Sequence, residues 1–425
     1  MSREMKHSGI DWIGEIPEGW DVVKIGFLFE NLDSLRKPIS AEQRERNNPQ
    51  YDYYGASGII DKIDYFNVDD EVLLIGEDGA NLVMRNLPLV YKAKGRFWVN
   101  NHAHILKPIC CDYNFMSHVL EATDYRNYIT GSAQPKLSQE NLQSIKLPVP
   151  PLSEQQKIAD YLDKVCGEID GLVALQEAMI DELKAYKQSL ITEAVTRGLN
   201  PNVPLKPSGI DWIGDIPEGW EVKPFKVLFR TGKGLSFTKS DLVEKGISVI
   251  SYGQIHSKQN RGTGIISSLI RCIPEDIVQG CNSSKVSVGD FIFADTSEDL
   301  SGCGNCVYVD KDINLYAGYH SVTAISKRKV SNIYLAYLFL TDCWRSQIRG
   351  RVSGIKVYSI SQSIINQTSV ILPPEGEQQQ IANYLDTKCS EIDSLIAIKQ
   401  QKIEELKEYK KSVIYEYVTG KKEVV

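Results

Sequence analysis

The chain has no run of 18 or more apolar residues, so no segment is long enough to cross a bilayer as a helix. Its first residues, MSREMKHSGI, lack an apolar stretch, and no secretory leader is expected. There is no Walker loop, no Gly-rich loop ahead of a base-binding motif, and no acidic pair with a following lysine in a strand context. Those absences argue against an ATPase, a methyltransferase and a nuclease. The nine cysteines are odd in number and follow no framework spacing, which points to reduced thiols in a cytoplasm.

What is present is ordinary in bulk and unusual in pattern. The 425 residues, 42% hydrophobic and 24% charged, suit two or three globular domains. The net charge of −7 is unevenly spread. Residues 221–371 carry 18 Lys and Arg against 12 Asp and Glu, residues 21–146 carry 14 against 17, and the remainder carries 16 against 26. An overall acidic chain can still bind nucleic acid, because affinity depends on where the cations face phosphate.

The strongest signal is an internal repeat. Ser8–Trp20 reads SGIDWIGEIPEGW and Ser208–Trp220 reads SGIDWIGDIPEGW. A second pair follows, PPLSEQQKIADYLDKVCGEIDGLVALQ from Pro150 against PPEGEQQQIANYLDTKCSEIDSLIAIK from Pro373. The first offset is 200 and the second 223, so the second intervening segment is the longer. The plan, twice over, is an opening motif, a variable domain and a helical block. Its boundaries fall at 1–149, 150–200, 201–372 and 373–425.

In the first block Ile158, Leu162, Val165, Ile169, Leu172, Met179, Leu183, Tyr186 and Leu190 alternate at four- and three-residue steps, with Gln176 the polar exception. The second block carries a looser stripe through Ile381, Leu385, Ile392, Leu395, Ile403, Leu406 and Val413, interrupted by lysines. Each block of about 40 residues makes a helix of roughly 60 Å. One amphipathic helix cannot bury its stripe alone, and the other copy is the evident partner. The recurrence of the opening motif after the first helix predicts an antiparallel pair, closed by a pseudo-twofold relation. Leu183 and Leu406 are expected to be buried between the helices.

The variable domains differ. Tyr53–Phe66, Leu73–Leu82 and Arg96–Leu106 are short β-like runs broken by turn residues, as are Ser248–Ile255, Val286–Ser297 and Tyr316–Ser326. Ser138 and Ser361 align as N-caps of a short helix leading to a last strand. The fold class is therefore α+β: two globular mixed α/β domains joined by two long antiparallel helices. No chemical residue recurs at matching positions in the two domains, as a shared reaction would require. A different target for each domain demands divergence.

Two local patterns carry other chemistry. Asn48-Pro49-Gln50-Tyr51 is near the Asn-Pro-Pro-Tyr loop of amino-methyltransferases but lacks the second proline, and a polar turn accounts for it. Cys303 and Cys306 have metal-ligand spacing, yet a structural zinc site needs four converging ligands and only one close pair exists. No metal site is assigned.

The opening motif, its repeat, the two Pro-Pro…Glu-Gln-Gln…Ile-Ala-x-Tyr-Leu blocks and the Gly131–Ser138 stretch GSAQPKLS make the chain resemble the specificity subunits of type I restriction–modification systems, over essentially its whole length. The resemblance implies a non-catalytic subunit whose two target recognition domains each read half of a bipartite, asymmetric DNA site. It implies that the helices set the spacer and dock two modification (methyltransferase) subunits, with restriction (endonuclease/translocase) subunits joining that core in defence against foreign DNA. S-adenosylmethionine, ATP and Mg are then bound by those partners and no cofactor by this subunit. A divergent enzyme and a purely protein-binding scaffold are the alternatives.

Polar and basic residues in turn-rich stretches are the candidates for base and phosphate contact. In the first domain these are Tyr54, Ser57, Asn100, Asn101, His102, Gln134 and Lys136. In the second they are Lys233, Ser236, Tyr252, Gln254, Ser283, Ser284, Lys285, Arg349, Arg351 and Lys356. The Arg349-Gly350-Arg351 loop with Lys356 is the most basic of these.

Overall fold

Pro151 and Pro374, each unable to continue a preceding helix, stand before the two longest elements. These are α1 (Leu152–Arg197) and α2 (Glu375–Val418). The computed structural model describes residues 3–44, 48–211, 213–328, 331–354 and 356–424; Trp212 of the second opening motif and Ile355 lie outside them. No helix among the described residues is long and apolar enough to cross a membrane.

The chain forms two compact units that cut across both helices, Met1–Ala178 with Lys399–Val425, and Met179–Ile398. Each therefore holds one half of α1 and one half of α2. In the first, Tyr161 meets Tyr417 with ring centroids 4.5 Å apart, Lys410 pairs with Asp170 at 2.7 Å, and Lys399 reaches Gln176 at 3.3 Å. Rising numbers on α1 meet falling numbers on α2, so the halves run antiparallel. In the second, Lys187 pairs with Asp393 at 2.7 Å, and a Cβ on Gly198 would sit 2.9 Å from Glu377 Oε1. The direction is again antiparallel.

The buried row on α1 departs from the predicted seam. It follows the buried Ile158, Leu162, Cys166 and Ile169, then the half-buried Val173, Gln176, Leu183 and Lys187 with the buried Ile180, so that at 172, 179 and 186 the next residue along takes the inward place. Leu172, Met179 and Tyr186 are exposed. A straight α-helix rotates away from a strict heptad row by roughly 20° per heptad, so the contact face moves off it. Leu183 and Leu406 are half-buried rather than buried, whereas Ile180 and Ile403 are each 6% exposed.

In the first unit the opening motif is a hairpin, Met5–His7 against Glu15–Pro17, that seats the fully buried Trp20. The Asp21–Lys24 strand then pairs with the domain's last strand, Lys146–Val149. Between them a six-stranded sheet runs in the order Phe29–Asn31, Ala103–Pro108, Val68–Gly76, Val90–Val99, Tyr51–Gly55, Gly58–Ile63. The second unit repeats the frame: Leu205–Pro207 against Asp215–Pro217, buried Trp220, and Glu221–Pro224 paired with Ser369–Leu372. It encloses two four-stranded sheets instead of one larger sheet. The expected caps are present, Ser138 Oγ accepting from Asn141 N–H at 3.2 Å and Ser361 Oγ from Ile364 N–H at 3.3 Å. Of the Ser248–Ile255 run only the first three residues are strand, the end of Ile247–Ile250. The rest is a helical turn, because Ser251 and Gln254 form a capping box that redirects the backbone.

Candidate nucleic-acid interface

In the first unit the strand ends converge on Glu77. Its N–H donates to His102 O at 2.8 Å, and Leu137 N–H donates to its carbonyl at 2.8 Å. A β-bridge joins the neighbouring Asp78 to Lys136. The hairpin turn at 55–58 folds over the same place: a Cβ on Gly76 would sit 2.6 Å from Ala56 O, so only glycine fits there. Ser57, Asn101, His102, Gln134 and Lys136 are brought to one edge, all exposed.

Charge holds that edge. The Arg36 guanidinium bonds the Glu77 carboxylate and lies 3.3 Å from Asp33; Lys136 Nζ is 3.0 Å from Glu77, and His102 Nδ1 is 2.8 Å from Asp78. Beneath them the buried His104 sets Nδ1 2.6 Å from Asp33 and Nε2 2.8 Å from Leu137 O. Burial pushes the Asp33 carboxyl up, but the His104 hydrogen bond and charge, the Ile105 N–H and Arg36 outweigh it, leaving the group below its ordinary value. Glu77 behaves alike, with Lys136 and Arg36 outweighing burial. Two of the proposed contact residues are internal supports instead. Tyr54 is buried edge-on against Phe97, centroids 5.6 Å apart, and Asn100 is buried with Oδ1 accepting the His102 N–H at 2.8 Å. An aromatic ring and an amide with a short reach fill the space behind the turn better than they reach past it.

In the second unit a cleft of about 1180 Å³ lies at the corresponding strand ends, with Lys233, Ser236, Asp295, Tyr319, His320 and Ser361 among its lining. Its wall is tight: a Cβ on Gly234 would sit 2.0 Å from Gly318 O. Ser284 is buried and donates Oγ–H to Lys233 O at 2.9 Å, which sets the exposed Ser283 and Lys285 beside Lys233. Ser284 is thus an internal support, while Gln254 is half-buried with its Oε1 accepting the Ser251 N–H at 3.1 Å. Tyr252 stands near His320, centroids 6.4 Å apart; burial, with Glu298 beside it, pushes its hydroxyl up.

Arg349 is half-buried and tied to Asp342 at 2.8 Å and to Ser301 O at 3.2 Å, and Arg351 donates to Gln347 O at 2.5 Å. Neither lines the cleft; Lys356 is exposed on the loop leading back to it. Lys233, Lys285, Arg351 and Lys356 have no carboxylate partner among the described residues, although Lys285 lies over the Tyr316 ring and Arg351 donates to Gln347 O.

Sequence reasoning missed Arg36, Glu77, Asp78, Asp295 and His320. The signal was there: an acid stands 25 residues before a histidine in both copies, Glu77 to His102 and Asp295 to His320, at an offset neither flanking repeat shares. Contrary to the expectation that no chemical residue recurs, these pairs match. Asp295 N–H donates to His320 O at 3.3 Å and Ile360 N–H to Asp295 O at 2.6 Å, as in the first unit.

The other local patterns resolve structurally. Asn48 N–H donates to Asp64 Oδ1 at 3.0 Å in a turn ahead of the Tyr51–Gly55 strand. Cys303 and Cys306 are buried beside Trp344, and burial pushes the Cys306 thiol up to about 12. Among the described residues no group of three or more His, Cys, Asp or Glu is placed to hold a metal ion.

The family described as type I restriction modification DNA specificity domain matches residues 17–184 and again 217–408. The chain belongs to this family. Two curated specificity subunits of type I restriction enzymes are similar to it at 24% identity. One, MjaVIII of Methanocaldococcus jannaschii, aligns over 96% of this chain and 93% of its own length. The other, a putative subunit of Haemophilus influenzae, aligns over 84% of each. A solved chain from work on complex assembly and conformational transition of the type I R-M system shares the fold, with a TM-score of 0.66 at 15% identity over 95% of this chain and 99% of that one. As a type I specificity subunit the protein is not itself an enzyme; it supplies DNA recognition to a complex of several subunits. The two family matches coincide with the two repeats, each carrying one set of converging strand ends.

Proposed function

We propose that each unit reads one half of a bipartite, asymmetric DNA site, and that α1 and α2 set the spacer and dock two methyltransferase subunits. The observation that carries this reading is an identical frame around unlike strand ends. Trp20 and Trp220 are seated alike, while the enclosed sheets, loops and exposed charges differ. Cations without a carboxylate partner in the second unit suit phosphate contact, which gives affinity, and polar turn residues suit base edges, which give sequence.

The docking reading rests on a repeated exposed stripe. In the first unit Leu172, Leu175 and Tyr409 are exposed, and in the second Leu395, Ile398 and Tyr186 occupy the matching positions. Two copies of one apolar surface suit two copies of one partner. Restriction subunits then join that core. In this reading S-adenosylmethionine, ATP and Mg act on the partners, no cofactor is held here, and the cytoplasm keeps the nine free cysteines reduced.

The test is a domain exchange. Replacing residues 21–146 with the corresponding segment of another such subunit should change one half of the methylated sequence, mapped genome-wide, and leave the other half and the spacer. A change in both halves would defeat the reading.

A further inference from the structure

Glu77 and Asp295 hold the same place, each bonded through its backbone to a histidine at the start of one strand and to the residue before a helix cap. Their side chains meet different surroundings. Arg36 and Lys136 neutralise Glu77. Two hundred residues on from Arg36, the offset that relates Phe29 to Phe229, stands Ser236, and Ser359 lies opposite Thr296 where Lys136 lies opposite Asp78. No arginine or lysine is within ion-pair distance of Asp295 among the described residues. Its ion-pair partner among the described residues is the imidazole of His320, Nδ1 3.4 Å from Oδ1, and Oδ1, the buried oxygen of the carboxylate, has no hydrogen-bond partner. His320 itself is held at φ +52°, a left-handed conformation rare outside glycine and found where a site over-determines the backbone. The space that Arg36 fills in the first unit is, in the second, open cleft.

A carboxylate without a cation is repelled by phosphate, so on a DNA-facing surface it is tolerated only where a base donates to it. On the major-groove edge the donors are the exocyclic amines, N4 of cytosine and N6 of adenine. We propose that Asp295 is a specificity-determining acceptor that takes a hydrogen bond from the amine of a cytosine or adenine in the half-site read by the second domain. This rests on the DNA-reading function proposed above. It also accounts for the difference between the domains: in the first the same position is neutralised and reads nothing directly, leaving His102 and Lys136 exposed at its edge.

The test uses the full methyltransferase complex, assembled with the wild-type chain or with Asp295→Asn, Asp295→Ala or Asp295→Glu, acting on a randomised DNA library. Asparagine both donates and accepts, so Asp295→Asn should relax or change the base at one position of one half-site, with roughly a ten- to hundredfold loss of preference there. Asp295→Ala should relax the same position, and Asp295→Glu, which keeps the acceptor, should retain it. The other half-site, the spacer and the melting temperature should not move. If Asp295→Asn and Asp295→Ala leave every position of the motif intact, Asp295 reads no base and the inference falls. Uniform loss at all positions with unchanged melting means a backbone or assembly role and overturns it too. A wild-type complex with no sequence-defined methylation would instead defeat the DNA-reading function and take this inference with it.

Discussion

Trp20 donates its indole N–H to Glu154 at 3.1 Å, fastening the opening motif to the first turn of α1. Within the same unit Trp20 also abuts the end of α2, where a Cβ on Gly420 would sit 3.2 Å from the indole and 2.4 Å from Pro17. Trp220 repeats the arrangement in the other unit, donating to Glu377 at 3.0 Å at the start of α2 and lying against Gly198 past the end of α1. One buried tryptophan thus joins the beginning of one helix to the end of the other.

Trp20→Ala should therefore cost about 3–5 kcal/mol, as a large core truncation does. Trp20→Phe keeps most of the volume and removes one donor from Glu154, which keeps Arg3 at 2.7 Å, so its cost should fall nearer about 1 kcal/mol. Urea unfolding of the purified complex distinguishes the two. Equal, small losses would show that the tryptophan is not what ties the helices together.

Along the helix pair, Ile180→Ala should cost about 2–5 kcal/mol and Leu183→Ala distinctly less, since Ile180 is 6% exposed and Leu183 is half-buried. Thermal melts of the two variants, run side by side, give the order. The reverse order would restore the strict heptad seam.

Asp33 supplies a pH signature. Its carboxyl lies below the ordinary value of 3.8 in the folded chain, so the ionised form favours folding. That contribution is complete above the ordinary value and is lost as pH falls through it toward the folded value. Asp33→Asn should lower stability by about 3 kcal/mol near neutral pH, because it breaks a buried charged network with His104 and Arg36. The gap to wild type should stay level down to about pH 5 and narrow below that. A gap independent of pH would mean that Asp33 is not ionised in the native state.

Leu172→Glu and Leu395→Glu together should leave stability within about 0.5 kcal/mol, as exposed substitutions do. Sedimentation with methyltransferase subunits should nonetheless show assembly lost. Unimpaired assembly would place the docking surface elsewhere.

Much of the architecture was legible because it rests on local, repeated signals. The two SGIDWIG motifs, the Pro-Pro stops, the capping serines and the helical periodicity each act over a few neighbouring residues, and the duplication printed them twice. From those came the two-copy plan, the antiparallel helices and the α+β class, and the same motifs with the Gly131–Ser138 stretch carried the family resemblance. What the sequence left open was anything set by distance across the fold. Whether Leu172 or Val173 faces the partner helix depends on the straightness of α1, which no heptad count contains. Tyr54 and Ser57 look equally available in a turn-rich run, yet the sheet buries one and exposes the other. Arg36 and Glu77 are 41 residues apart, and the Ala103–Pro108 strand, paired on one side with Phe29–Asn31 and on the other with Val68–Gly76, brings them together. The match of Glu77 with Asp295 follows neither flanking offset, because insertions fall between the repeats' fixed parts. Hydrogen-bond register, not sequence spacing, decides which residues occupy the same place.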